Sequence, residues 1–405
     1  MELALAMLLS TFAVGLLLPA LYLLVETAAA ALFRCPPHRT LETSVQQRAG
    51  WGDVAVLVPA HNESSNLVAT LGAVKAQLRQ QDRLLVVADN CTDDTAALAR
   101  GCGAQVTERT DAFRRGKGFA LDHGLRLLAL EPPACVIMID ADCRVGDRAI
   151  LLLAQHALAT GRPVQASYLM VPGENSSLGE RIATFAWRIK NHVRPSGSRA
   201  LGLPCLLTGS GMAFPWHVLL NAPLASGNIV EDMQLGVDLA CRGHLPTFLP
   251  EAVVTSQFAA RSAAREGQRR RWEHGHLSTL LSQTPRLVAA SIRLRRMRLL
   301  ALALELSVPP LALFLVLLSA LLTACLVWAI TAGDVFPLLL AAAALAIFSV
   351  SILLGWRLAG ADLLSATDLL GVPAYVWRKL PIYFSFLSRR ESAWVRTERD
   401  RNDPQ

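Results

Sequence analysis

Cys135-Val-Ile-Met-Ile-Asp-Ala-Asp142 is the stretch from which the fold is read. Val136 to Ile139 leave no polar face, as in a central strand of a sheet covered on both sides. Asp140 and Asp142 then emerge at the carboxyl end of that strand, the edge of an open α/β sheet where ligands bind. Two carboxylates one residue apart make a hard-oxygen site suited to Mg2+ or Mn2+ shared with substrate phosphates. Asp-x-Asp at a strand end is also ordinary turn and capping chemistry, so its meaning depends on the rest of the chain.

Upstream, short apolar strands alternate with helical stretches. Strands are expected at Val54 to Val58, Leu84 to Ala88, around Val106 and at Val136 to Ile139, and helices at Glu63 to Arg79, Asp94 to Arg100 and Lys117 to Leu130. This alternation implies a parallel sheet with right-handed crossovers. The strands end in chemistry: Val58-Pro-Ala-His-Asn-Glu63, Ala88-Asp-Asn-Cys-Thr-Asp-Asp94 and Asp140-Ala-Asp142. Thr92 and Asp93 suit helix capping, whereas Asp89 sits at a strand's carboxyl edge. Arg114-Arg-Gly-Lys-Gly-Phe-Ala-Leu121 opens a helix with a glycine-flanked lysine. Glycines permit close backbone approach and helix starts attract anions, so Lys117 is a candidate diphosphate contact, although the stretch lacks the spacing of a Walker A loop. Downstream lie the glycine-rich turn Thr208-Gly-Ser-Gly-Met-Ala-Phe214, the acidic pair in Ile229-Val-Glu-Asp232 before a helix, and Gln268-Arg-Arg-Arg-Trp272 in a helix-compatible stretch.

The 405 residues are 53% hydrophobic and 18% charged, with a net charge of +7, and the mean hydropathy is +0.37. The chain is too apolar for an ordinary soluble domain and too charged to be all membrane. Arginines cluster at 269–271, 293–298, 389–390 and 396–401, beside apolar runs. This placement favours lipid headgroups and a phosphate-bearing substrate over nucleic acid. The eight cysteines form no Cys-x-x-Cys and read as reduced residues of a cytosol-facing domain.

Leu3 to Val25 carries no charge and is long enough to cross about 30 Å of hydrocarbon. Arg34, His38 and Arg39 follow it, and Met1-Glu2 gives no positive n-region, so a membrane helix with a cytoplasmic continuation is expected rather than a cleaved signal. Between Leu299 and Ala332 the only charge is Glu305, and Pro309-Pro310 breaks the helix early. A short external loop with Asp334 leads to a returning span, Phe336 to Trp356. The expected organisation is a membrane helix at 1–33, a linker at 34–50, a cytoplasmic catalytic domain at 51–285, a basic interfacial helix at 286–298, a membrane hairpin at 299–359 and an interfacial, cytoplasmic tail at 360–405, with Asp368 to Leu387 lying at the interface or, at the cost of exporting Arg389 and Arg390, forming a third C-terminal span.

Taken together, Pro59-Ala-His-Asn-Glu63, Asp89-Asn-Cys-Thr-Asp-Asp94, Asp140-Ala-Asp142, Gly209-Ser-Gly-Met, Glu231-Asp232 and Gln268-Arg-Arg-Arg-Trp272 resemble the family 2 glycosyltransferases. Within that family the resemblance is to the membrane-embedded branch of cellulose, hyaluronan and poly-N-acetylglucosamine synthases and ceramide glucosyltransferase. It covers about residues 50 to 280 and implies an α/β GT-A fold, a Rossmann-like nucleotide-sugar domain, with a UDP-linked donor and inversion at the anomeric carbon. Carried over by residue, Pro59, His61, Glu63, Asp89, Lys117, Asp140, Gln268 and Arg271 would bind the nucleotide, with Glu63 and Asp89 at the nucleoside. Asp140 and Asp142 would hold Mg2+ or Mn2+, and Asp232 would be the catalytic base. Gly209, Ser210, Gly211, Glu231 and Trp272 would face the acceptor.

Such a reaction needs a cation or guanidinium to absorb charge on the leaving diphosphate and one carboxylate to take the acceptor's proton. The expected activity is transfer of a sugar to a lipid-linked glycan at the cytoplasmic leaflet of the inner membrane, in bacterial exopolysaccharide or surface-glycan synthesis. Alternatives are a processive polysaccharide synthase acting as a homo-oligomer or with an export partner, a ceramide or diacylglycerol glucosyltransferase, and a non-catalytic membrane scaffold. With one expected span before the catalytic region and about two after it, a single chain offers little wall for a polymer channel.

Overall fold

The structure, a computed structural model, describes residues 2–33, 52–64, 66–225, 227, 229–259 and 262–388. The linker at 34–50, with Arg34, His38 and Arg39, and the tail arginines from Arg389 onward lie outside the described residues. The chain divides into two compact units. Among the described residues, one comprises those within 52–173 and 204–275, and the other those within 2–33, 174–203 and 276–388.

The first unit is built on an eight-stranded mixed sheet in the order β3-β2-β1-β4-β7-β6-β8-β5. β1 (Val54–Ala60), β2 (Arg83–Asp89), β3 (Gln105–Arg109) and β4 (Cys135–Met138) run parallel. That is the arrangement expected from the strand–helix alternation. Beyond β4 the sheet departs from a purely parallel one. β7 (Met212–Pro215) pairs antiparallel with both β4 and β6 (Val164–Met170), β8 (Thr247–Ser256) lies parallel to β6, and β5 (Arg144–Val145) closes the edge antiparallel to β8. The register between β6 and β8 shifts after Ala166, so that Leu249 and Val253 become successive partners of neighbouring residues. Pro250 falls in the skipped segment, where a residue without an amide hydrogen costs no ladder bond.

All four residues of β4 are buried, which explains the absence of polar alternation in the sequence. On one face the helices Lys117–Leu128 and Glu231–Cys241 supply Leu121, Leu125, Leu235 and Leu239 to a core with Leu57, Leu85, Met138 and Phe214. The helix Ala149–Thr160 also packs on β4, β6, β7 and β8. Gly124 is where the helix Lys117–Leu128 meets the sheet: a Cβ there would stand 2.5 Å from Leu57 Cδ1 and 2.9 Å from Val87 Cγ2.

Among the described residues, the second unit contains three helices long and apolar enough to cross a membrane: Glu2–Leu32, Leu311–Ala332 and Phe336–Ala359. They match the expected spans, and Pro309-Pro310 separates Leu311–Ala332 from the helix Met297–Ser307. The expected basic helix at 286–298 is instead divided. Its first part continues the long helix Ser262–Leu294, and Arg295, at a left-handed φ of 52°, turns the chain into the next helix. The tail helix Val372–Ser388 leaves Trp377 and Phe384 exposed.

Residues 174–203 carry no motif but fold with the apolar helices, as Leu178–Arg188, a π-helical turn Ile189–Val193 and Arg194–Ala200. Arg194 Nε binds Glu26 Oε2 at 2.5 Å, its NH2 group donates to the Glu305 carbonyl at 2.8 Å, and Ser198 Oγ donates to Glu26 Oε1 at 3.0 Å. Arg194 and Glu26 are buried, so each neutralises a charge that would be very costly alone. Gly197 lets the two backbones touch, since a Cβ there would stand 1.9 Å from the Glu26 carbonyl oxygen. Gly197→Ala should therefore lower unfolding free energy by roughly 1–3 kcal/mol through overpacking. Gly15→Ala in the same unit, where nothing lies within 4 Å of the added Cβ, should be neutral or slightly stabilising. Denaturant unfolding of both variants in the same detergent checks the contrast.

Candidate active site

The parallel strands end side by side, and their carboxyl ends bring the expected motifs together. After β1, His61 Nδ1 meets the Asp89 carbonyl at 2.7 Å. A carbonyl only accepts, so Nδ1 carries the proton. Asn62 adopts a left-handed φ of 53° and accepts the Thr92 amide at 2.7 Å, while the Glu63 amide donates to Thr95 Oγ1 at 2.9 Å. The first two strand-end motifs thus bind each other through hydrogen bonds between side chains and backbone, with Pro59 as the penultimate residue of β1. The helix Thr95–Gly101 is capped at Asp94 without a side-chain bond, so the capping role read for Asp93 is not taken. Asp93 instead accepts the Thr95 amide at 3.1 Å and the Thr95 hydroxyl at 2.5 Å in a local turn. Thr92 pairs with Asn62 instead.

Asp89 is buried, and its Oδ1 accepts from Arg109 at 2.6 Å and from Asn90 Nδ2 at 3.1 Å. Arg109 also reaches Asp111 at 3.2 Å and the Arg114 carbonyl at 2.7 Å, and its guanidinium lies 5.7 Å from the Phe119 ring centre. Arg109 was not singled out from the sequence. Its position as the last residue of β3, beside the strand ending in Asp89, was the available signal.

At the centre of the edge, Lys117 begins its helix behind Gly116, whose φ of 130° suits glycine. Its ammonium lies 2.5 Å from Asp140 Oδ1 and 3.6 Å from Glu231 Oε1, and it donates to the Gly209 carbonyl at 2.6 Å. Burial raises the Asp140 pKa; Lys117 opposes that shift, and neighbouring Asp142 and Asp232 reinforce it. Burial also pushes Glu231 up to about 7 against the pull of Lys117. For Lys117 the cluster of Asp140, Glu231 and Asp232 outweighs desolvation and holds the ammonium well above its ordinary range. Four acidic side chains and one lysine therefore share one edge of the sheet.

The glycine-rich turn makes this convergence possible. The Gly211 amide donates to Met138 and its carbonyl accepts from Ala166, joining β4 to β6. At its φ of 69°, a Cβ would press on Ala166 Cβ at 2.6 Å and Val254 Cγ2 at 2.9 Å. Gly209, at φ 98°, leaves Asp232 Oδ2 3.2 Å from the point a Cβ would occupy. Between them Ser210 Oγ accepts the Asp140 amide at 3.1 Å.

Asp142 receives the Ser256 hydroxyl at 3.1 Å. Ser256, at the end of β8, had no motif to mark it. Ligand atoms of Asp140, Asp142 and Cys143 lie within 4.8 Å of one another. Cys143 is fully buried, and desolvation holds its thiol well above the usual range. Mg2+ and Mn2+ prefer hard oxygen donors over a thiol, which leaves the carboxylates of Asp140 and Asp142 as the donors that suit them.

The Gln268–Trp272 stretch lies early in the helix Ser262–Leu294. Gln268 is buried, and its Oε1 accepts the Ala259 amide at 3.5 Å. Phe258, two residues after Ser256, has its ring centre 5.3 Å from the Arg269 guanidinium and 6.4 Å from the Trp272 ring. The end of β8 thus ties Asp142 to this helix. Arg271 and Trp272 are half-buried.

The family profile described as "Glycosyltransferase like family 2" matches residues 49–275, the span that holds every one of these residues. Uncharacterized glycosyltransferases of Mycobacterium tuberculosis H37Rv and Mycobacterium bovis are each 40% identical over 193 residues, covering 44% of this chain and 82% of the relative. Among solved structures, the mannosyltransferase PcManGT from Pyrobaculum calidifontis, in complex with GDP-mannose and Mn2+, aligns over 95% of this chain and 100% of its own with 18% identity and a TM-score of 0.52. That likeness supports a GT-A fold. By the extent of the family match and the identity to these relatives, the chain belongs to the family 2 glycosyltransferases.

Proposed function

We propose that this enzyme inverts the anomeric centre as it moves a sugar from a nucleotide-sugar to a membrane-associated, lipid-linked glycan, in the branch that carries the Gln-x-x-Arg-Trp motif. The observation that carries the reading is the convergence of Asp140, Asp142, Lys117, Glu231 and Asp232 at one sheet edge. Asp140 and Asp142 would hold Mg2+ or Mn2+, which when bound supplies positive charge to the diphosphate. His61, Glu63 and Asp89, at the ends of β1 and β2, would seat the nucleoside, and Lys117, Gln268 and Arg271 would contact phosphate. Gly209, Ser210, Gly211, Glu231 and Trp272 would face the acceptor. Asp232 Oδ2, set against Gly209, takes the proton from the acceptor hydroxyl as that oxygen attacks the anomeric carbon and the bond from that carbon to the diphosphate oxygen breaks, the nucleoside diphosphate leaving with the electron pair.

The resemblance favours a UDP-sugar. The GDP-mannose bound by PcManGT makes a GDP-sugar the second donor to test. Three membrane-length helices among the described residues support an acceptor presented at the bilayer, and the positive residues at 34–39 and from 389 in the sequence support a catalytic unit on the cytoplasmic side of the inner membrane. Such a placement would suit a role in surface-glycan or exopolysaccharide synthesis.

Removing the cation with EDTA, or Asp142→Asn, should abolish measurable donor binding and transfer, read by calorimetry and by label incorporation into lipid extracts. Asp232→Asn should keep donor affinity while transfer falls by about 10²-fold or more. Near-normal turnover would move the base elsewhere. Sugar hydroxyls crossing hydrocarbon need a polar corridor, which the three membrane-length helices among the described residues do not wall. Purified monomer in a defined bilayer should therefore add one sugar or very few. Long products only from oligomers or with a partner would favour the processive reading.

A further inference from the structure

Lys117 occupies more than a phosphate-facing position. Its ammonium is committed to Asp140 Oδ1 at 2.5 Å and to the Gly209 carbonyl at 2.6 Å, with Glu231 Oε1 at 3.6 Å. On the reading above, Asp140 is also where a divalent cation is held, and an ammonium in contact with that oxygen opposes the cation both sterically and electrostatically. We infer that Lys117 competes with the divalent cation for Asp140, and that Glu231 is the positioning residue that receives the ammonium when the cation binds. This inference rests on the metal reading of Asp140 and Asp142.

The geometry provides for the exchange. Lys117 is the first residue of its helix, so its four-carbon stem can swing without moving the sheet. The Gly209 carbonyl contact serves as a pivot, and the missing Cβ at Gly209, which would stand 3.7 Å from Nζ and 3.2 Å from Asp232 Oδ2, leaves the path open. Glu231 already faces the ammonium at a distance too long for a hydrogen bond. A small shift of Nζ away from Asp140 would close that gap and keep the charge paired. Asp232 adds to the field on the same side. The cluster thus keeps a cationic partner in both arrangements, and Asp140 and Asp142 need not face each other unneutralised.

The test titrates Mn2+ alone, without nucleotide, into the full chain in nanodiscs, with free Mn2+ read by electron paramagnetic resonance. Lys117→Met should bind Mn2+ about tenfold tighter than the unaltered chain, and Lys117→Arg should not. Glu231→Gln should weaken binding severalfold in the unaltered background, and that effect should shrink to a third or less in the Lys117→Met background, as coupling through Lys117 requires. Lys117→Gln carries the same expectation as Lys117→Met and replaces it if that variant does not fold. Equal affinity with and without the lysine, or an equal Glu231→Gln effect in both backgrounds, would overturn the inference while leaving the metal reading intact. Failure of both the unaltered and the Lys117→Met chains to bind Mn2+, with normal melting, would remove the metal reading and the inference together.

Discussion

Four carboxylates, Asp140, Asp142, Glu231 and Asp232, crowd the carboxyl edge of the sheet, and their mutual repulsion is the constraint around which the catalytic unit is arranged. Like charges in a partly buried site raise one another's pKa unless a cation intervenes. Lys117 is that cation in the structure. Its position requires a helix that begins at the sheet edge and packs closely enough on β1 and β2 that only a glycine fits at 124. It also requires a turn at Gly209 to Gly211 whose positive φ angles keep backbone oxygen and amide groups, rather than side chains, next to the charges. The core beneath and the chemistry above are therefore joined through the same few backbone positions.

The Asp89 side of the edge uses a different device. Asp89 is balanced by Arg109, and Arg109 in turn fixes the loop that leads to Lys117 through Asp111 and the Arg114 carbonyl. A buried ion pair adds little net stability but specifies geometry, because either partner alone would be costly. The helical unit uses the same device at Arg194 and Glu26. There the pair ties the π-helical insertion to the N-terminal helix, in surroundings where nonspecific apolar packing gives little preference for one register over another.

Much of this was legible in the residues. An apolar run without alternation marked β4 as central, the strand–helix alternation gave the parallel half of the sheet, and uncharged stretches of about twenty residues marked the three membrane-length helices. The motifs marked the residues that the structure gathers at one sheet edge, because strand-end chemistry depends on residue type and short spacing, both of which are local. The antiparallel return of β7 and β5, by contrast, leaves no local mark, since a short buried strand reads the same in either direction.

The amino-acid sequence by itself determined the strand–helix alternation, the apolar spans and the carboxylates at the strand ends, because each depends on side-chain chemistry at short range. Only the tertiary structure decided that residues 174–203 fold with the apolar helices, that Glu305 lies near Arg194 and Glu26, that Ser256 steadies Asp142, that Arg109 neutralises Asp89, and that Lys117 stands among Asp140, Glu231 and Asp232. Each of these is a pairing between residues 20 or more positions apart, from Asp89 with Arg109 to Arg194 with Glu26. Such pairings form where burial makes an unpaired charge costly, and burial is settled only once the chain has packed.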